Sequence, residues 1–478
     1  MRGFPNSAGG IGCETGFSLG EPTGERRIAR GGAIGEASGL ASRRGFLRAG
    51  CLGLSGLTLA DFLRAREARG DSSASSRSIA DDDLSVILVW LDGGPPQHET
   101  YDPKPDAPGE FRGEYKSIAT NVPGIFMSEH MPYQARHMDK LMLLRSMHHN
   151  NGDHFAAAHW MLTGFLGSNA ANLGAQYPSA GSIVAKLKGA RKPGIPPYVG
   201  LPRLHSVGLA PGYHGAAYLG VGDNPFTLDA DPNNASYRVS NLTLPVGVDA
   251  TRLDDRRSLL QAFDTARSDV DSSGLMEGLD HFATRAYQMI SGPEARAAFD
   301  LSKEDPKLRD RYGRTTAGQS ALLARRLVEA GTRFVTVVNG GWDYHAGIFK
   351  NMTNHLIETD RAIGSLIEDL HDRGMLERTI VIVMGEFGRT PRVNATAGRD
   401  HWGEVMSVML AGGGMPAGRT VGSSSARGEY PKDLPVRPQD LIVSLYRKLG
   451  IDPLTTFVNR SGRPAPVGGD GRAIVELL

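Results

Sequence analysis

At 478 residues with an apolar share of 40%, the chain is long enough to bury a substantial core in one large domain or two ordinary ones. Lys plus Arg total 53 against 52 for Asp plus Glu, so global charge gives no reason to expect nucleic acid or an anionic membrane as partner. The two cysteines, Cys13 and Cys51, both precede the expected folded part, which excludes thiolate catalysis, thiolate metal sites and disulfides from it.

In chain order, the first feature is an address. Ser42-Arg43-Arg44-Gly45-Phe46-Leu47-Arg48 has the form of a twin-arginine export signal and leads into a moderately apolar stretch. That stretch is broken by glycines and by Asp61, and it is short for a membrane span. Residues 1–83 are therefore expected to be a signal region and polar linker, handled by the twin-arginine translocation machinery. The mature form is expected to be periplasmic or extracellular, without a stable membrane anchor, starting somewhere in Gly70 to Asp83. Cys51 precedes the apolar stretch instead of following it, which argues against lipidation.

Residues 84–478 read as one α/β domain. Leu84 to Leu91 is a continuous apolar run ending at Asp92-Gly93-Gly94, the pattern of a buried central strand delivering a carboxylate to a turn. Arg333 to Asn339, Thr379 to Met384 and Val405 to Leu410 are further short apolar strands. Between them, Ser320 to Ala330 and Thr353 to Arg373 have helical period, the second through Leu356, Ile363, Leu366, Ile367 and Leu370. Pro438 to Leu449 starts on proline and stops before Gly450, as a helix does. Such alternation implies a largely parallel sheet with helices on both faces. The Gly/Pro-rich stretch from Pro193 to Pro245 is expected to form loops over a site, and the charged segment from Asp249 to Tyr312 a helical insertion. About 193–312 is thus a loop-rich and helical interruption of the domain.

Ligands gather at the carboxyl ends of strands in open α/β sheets, and the chemistry-bearing residues fall at such ends. Asp92 follows the first strand. Asp343 and His345, in Trp342-Asp343-Tyr344-His345, follow the second. Glu386 and Arg389, in Gly385-Glu386-Phe387-Gly388-Arg389, follow the third, and Asp400-His401 precede the fourth. Carboxylates and imidazoles in this number suit a divalent cation. Asp92 could instead cap its turn, Asp400 could pair with Arg399 or Arg389, and Arg389 could grip an anionic substrate group. The densest polar cluster is His148 to His154, and Asp153, His154 and the nearby His159 are candidates for a site, with a structural polar cluster as the alternative. His148 and His149 stay open between a site role and a structural one. His130, His137, His205, His281, His355 and His371 read as hydrogen-bonded structural groups.

The blocks LVWLDGGPPQHETYDPK, WDYHAG, GEFGRTP and GRDHW, in this order, resemble the signature of the domain-of-unknown-function family numbered 1501. These are exported proteins grouped with the sulfatase-like branch of the alkaline-phosphatase superfamily, and the resemblance runs from about Leu84 to Asp452. It implies an alkaline-phosphatase-like three-layer sandwich and an exported metal-dependent hydrolase of sulfate or phosphate esters, acting on a small-molecule or glycan ester. The alternative is a catalytically silent fold that binds an anion, glycan or protein partner. By the same resemblance Asp92, Asp343, His345, Glu386 and His401 would hold one or more divalent ions (zinc, manganese or calcium), and His154, Asp153 and Arg389 would be the catalytic groups. Three departures stand out. Asp343 and His345 are closer in sequence than the superfamily spaces them, Glu386 is followed by Phe387 instead of histidine, and the nucleophile position holds His154 instead of Ser, Thr or Cys.

Overall fold

In the computed structural model, Ser85–Trp90 (β1) forms the centre of an eight-stranded sheet and is buried along its whole length. The structure describes residues 83–478 apart from 170, 229 and 240–291. The twin-arginine segment, both cysteines, His281 and most of the expected helical insertion lie outside the described residues. Among the described residues, no helix is long and apolar enough to cross a membrane.

The other strands are Leu141–Met147 (β2), Tyr198–Leu201 (β3), Phe226–Thr227 (β4), Phe334–Val338 (β5), Thr379–Met384 (β6), Met406–Ala411 (β7) and Arg419–Val421 (β8). Their order across the sheet is β8-β2-β7-β6-β1-β5-β3-β4. All neighbours are parallel except at β7, which runs against both β2 and β6. Because the side-chain period of a strand is two, β1 feeds two cores at once. Val86, Leu88 and Trp90 pack with helices His154–Thr163 (α1), Ala180–Lys188 (α2) and Pro438–Lys448 (α5). Ile87, Val89 and Leu91 pack with Thr316–Ala330 (α3) and Thr353–Asp372 (α4). The result is the expected three-layer α/β sandwich. Leu356, Ile363, Leu366, Ile367 and Leu370 of α4 are all buried, so their helical period does mark its core face.

Two expectations change. β2 was not anticipated, because LMLLRSM is a Leu/Met run without β-branched residues, and its strand form comes from pairing with β7 and β8. The stretch expected to be only loops contributes β3 and β4 to the sheet, with three short 3₁₀ turns between them. Of the expected helical insertion, the described part carries Pro293–Phe299 and Pro306–Tyr312.

Candidate functional site

The sheet direction decides which loops can meet. β1, β2, β3, β5 and β6 all point their carboxyl ends at one edge, and the reversed β7 brings its amino end to that same edge. Asp92, the His148–His154 segment, His205, Asp343 with His345, Glu386 and His401 therefore hang from neighbouring strand ends. The ends of β1, β5 and β6 are level, since Trp90 pairs with both Val338 and Met384.

Asp92 and Glu386 form the floor and are 2% and 0% exposed. Oε1 of Glu386 accepts from the Gly93 amide at 2.9 Å and lies 2.7 Å from Nδ1 of His154. Asp92 Oδ2 accepts from the Val207 amide at 2.8 Å. The remaining oxygens, Asp92 Oδ1 and Glu386 Oε2, are buried without a hydrogen-bond partner. Burial raises the pKa of Glu386 and the Asp92 charge adds to this, while the bond to His154 opposes both. Gly93 explains how the loops approach so closely. A Cβ there would sit 2.7 Å from the Asp343 amide, and its φ of +110° is a conformation that L side chains avoid.

Asp343, His345, Asp400 and His401 form an open rim. Nδ1 of His401 is 2.8 Å from the Gly152 carbonyl, which can only accept, so Nδ1 carries the hydrogen. Nδ1 of His345 is held in the same sense by Asp400 Oδ1 at 2.7 Å. Both Nε2 atoms then face the same carboxylate oxygen, Asp343 Oδ1, at 3.1 and 2.9 Å, and are 3.0 Å from each other. The two Nε2 atoms and Asp343 Oδ1 thus converge on one spot, where a proton or a cation can sit between them, and Arg389 donates to the same oxygen. One ligand atom each of His154, Asp343 and His401 lies within 4.8 Å of the others, the spacing of a metal's ligand shell. The converging Nε2 atoms and the orphaned floor oxygens both fit a divalent cation, with the rings oriented by Asp400 and Gly152 as ligand histidines usually are.

His154 joins floor to rim. It opens α1, and its Nε2 is 3.5 Å from Asp343 Oδ2. Burial disfavours its charge, but hydrogen bonds and charges from Asp343 and Glu386 outweigh that and hold its pKa up at about 9. The pKa of Asp343 is lowered. Its partial burial works the other way and is overcome by hydrogen bonds from His154, His401 and Arg389. Phe387 stacks on His401 at 4.5 Å and tilts against His154 at 5.0 Å, an apolar wall beside both rings.

Two expected catalytic groups take other places. Arg389 is fully buried and donates to the carbonyls of Gly94, Gly93 and Arg399 and to Asp343 Oδ1 at 2.5 Å. It braces the DGG and WDYH loops instead of gripping a substrate anion. Asp153 caps α1, accepting from the Ala156 amide at 2.9 Å. His159 lies deeper along α1, bonded to the Phe165 carbonyl, with burial lowering its pKa to about 4. Asp400 pairs with His345, whereas Arg399 pairs with the buried Glu99.

Sequence reasoning also left His149 open. Nδ1 of His149 accepts from the Asn151 amide at 3.1 Å, so its Nε2–H donates to the Glu386 carbonyl at 2.6 Å and ties the two loops together. The signal for His149 was its place in HHNNGDH directly after an apolar run.

The sequence model of the family described as "Protein of unknown function (DUF1501)" matches residues 83–478. No curated protein matches the chain by sequence. Among solved structures, the chain is similar to a sulfatase from Pseudoalteromonas sp. (14% identity, 77% of this chain and 68% of that one, TM-score 0.36). It is similar as well to a protein in the alkaline phosphatase superfamily from Vibrio parahaemolyticus (10%, 83% and 70%, TM-score 0.35). A third is the phosphonate monoester hydrolase of Agrobacterium radiobacter (11%, 82% and 77%, TM-score 0.36). Identity this low leaves the site to be argued from this chain's own residues. With nearly all of the described chain inside that one match, the protein belongs to the DUF1501 family.

Proposed function

We propose that this protein is an exported, metal-dependent hydrolase of sulfate or phosphate esters. One observation carries the reading: two imidazole Nε2 atoms converge on Asp343 Oδ1 beside two buried carboxylates that each keep an unpartnered oxygen. Asp343, His345 and His401, with Asp92 and Glu386 behind them, would hold the divalent ion or ions. When bound, such a cation polarises an ester oxygen and offsets the charge that develops on it.

The chain's own groups account for the rest. Glu386 Oε1 orients the His154 ring through Nδ1, which turns Nε2 toward Asp343 Oδ2, 3.5 Å away. His154, touching both Glu386 and Asp343, is the imidazole placed to pass a proton to the leaving oxygen as a general acid. The amide groups opening α1 add a favourable field for an anionic ester. Position 154 holds His instead of Ser, Thr or Cys, so the nucleophile of this reading is water, with His154 itself as phosphoryl or sulfuryl acceptor the covalent alternative. Export rests on Ser42–Arg48 and makes the twin-arginine machinery a partner.

That same absence favours a second reading, a catalytically silent fold that binds an anion, glycan or protein partner. Metal analysis of protein purified without chelator, followed by assays on aryl sulfates, phosphate monoesters and phosphate diesters, separates the two. The hydrolase reading expects bound zinc or manganese and turnover that falls at least about 100-fold in His401→Ala, as for loss of a group stabilising the transition state. A folded, metal-free protein inactive on every ester after reconstitution would refute it.

A further inference from the structure

Asp343 and His345 flank Tyr344 in the chain, so the direction in which both face His401 depends on how Tyr344 is held. Its carbonyl accepts from the Arg399 amide at 3.1 Å, which ties it to the loop carrying Asp400 and His401. Its hydroxyl lies 3.0 Å from Nδ1 of His355, in the first turn of α4. Nε2 of that ring is 3.2 Å from Oδ1 of Asn339, whose Nδ2 donates to Thr359 Oγ1 at 2.7 Å.

The direction of each bond in this chain is set by its members. Asn339 Oδ1 can only accept, so Nε2 of His355 carries the hydrogen and the Nδ1 lone pair receives the Tyr344 hydroxyl. Burial lowers the His355 pKa to about 4, which keeps the ring neutral and Nδ1 able to accept. The far end is anchored twice. Asn339 continues the ladder between β1 and β5, donating to the Trp90 carbonyl at 2.8 Å and accepting from the Asp92 amide at 3.1 Å, and Thr359 is buried in α4. Trp342 packs against the His355 ring with centroids 4.4 Å apart. Side-chain bonds thus run from the sheet and a helix to the one residue between the two rim groups.

We propose that His355 is a positioning residue of the site: as the acceptor for Tyr344 it fixes the loop that carries Asp343 and His345, and so sets the convergence of that pair with His401. This rests on the reading that these three residues hold a divalent cation. His355 bonds Tyr344 and Asn339 and none of the three, so its effect passes through Tyr344.

Zinc affinity by chelator competition on the full chain, with ring nitrogen-15 shifts of histidine-labelled, metal-free protein, tests it. His355→Phe, which keeps a ring against Trp342 and removes both nitrogens, and Tyr344→Phe should each weaken zinc about tenfold, the low end for loss of an orienting partner. The double variant should bind no more than about twofold more weakly than either single one, because both remove the same bond. His355→Gln, which supplies an acceptor and a donor again, should recover most of the loss, an outcome that a packing role does not give. In metal-free wild type, His355 should carry its hydrogen on Nε2 and His345 on Nδ1, and Tyr344→Phe should move His345 toward a mixture of tautomers. Melting of metal-free protein serves as the fold control. If His355→Phe melts far below wild type there, Tyr344→Phe, which removes a single oxygen, carries the comparison. Unchanged zinc affinity in the variants, losses that multiply in the double variant, or a wild-type His355 with its hydrogen on Nδ1 would overturn the assignment and leave the cation reading standing. A wild type that binds no zinc would overturn the cation reading. The His345 tautomer then decides the role of His355: a shift in Tyr344→Phe sustains it, and an untouched signal overturns it.

Discussion

Asp92 and Glu386 lie at the floor of the site with 2% and 0% of their surface exposed, whereas the side chains of Asp343 and Asp400 stand at the rim, 33% and 55% exposed. The residue chemistry is the same and the energetics are not. A rim carboxylate keeps its water and feels a screened field, so each of its ion pairs is worth little. A floor carboxylate has given up water, and every missing partner costs it free energy. Affinity for a cation should therefore be rooted in the floor, and the rim should orient and protonate.

The sharpest test of that contrast is Arg389→Ala. Its guanidinium is fully buried and bridges four carbonyls and Asp343. Its loss leaves those buried carbonyls without their donor and should cost at least about 2 kcal/mol in chemical unfolding. A cost below about 1 kcal/mol would mean that floor and rim are not braced as one unit.

Asp92→Asn should act in opposite directions with and without metal. Chelation should lower wild-type stability by about 2.7 kcal/mol when the free cation stands at 100 times its dissociation constant. In Asp92→Asn that gap should shrink, while the metal-free variant becomes more stable than metal-free wild type because one of two buried like charges is gone. A metal-free variant less stable than wild type would place the worth of Asp92 in its bond from Val207 instead.

His154 joins the two regions and makes the contrast depend on pH. Its folded-state pKa of about 9 stands above the ordinary 6.5. Its stabilising contribution is therefore complete below about pH 6.5 and is lost as pH rises through about 9. In metal-free protein this should amount to roughly 2 kcal/mol, read as the difference between the unfolding free energy–pH profiles of wild type and His154→Asn. Parallel profiles across that window would sink the assignment.

The smallest effect belongs to the rim. Asp400→Asn removes an exposed partner of His345 and should change stability by no more than about 1 kcal/mol. Its mark should be on metal affinity, through the lost orientation of the His345 ring.

Much of the framework was legible because it is local. The apolar run before Asp92, the helical period of Thr353 to Arg373 and the proline that opens α5 state their structure within a few residues of chain. The gathering of Asp92, Asp343, His345, Glu386 and His401 was legible for a related reason, since each flanks a strand and strand ends share an edge. β2 escaped because a Leu/Met run becomes a strand only when neighbours pair with it. The inward turn of Arg389 escaped because nothing near it in sequence tells an inward guanidinium from an outward one.

The sequence by itself determined the α/β alternation, the two-sided burial of β1 and the set of acids and imidazoles at strand ends, all consequences of periodicity and composition over short windows. Only the tertiary structure decided that β7 runs backwards to bring His401 to the edge, that Arg389 is a brace, and that His154 bonds Glu386. Those outcomes depend on burial and on distances between groups that the chain itself keeps a hundred or more residues apart, and such distances exist only once the layers have packed.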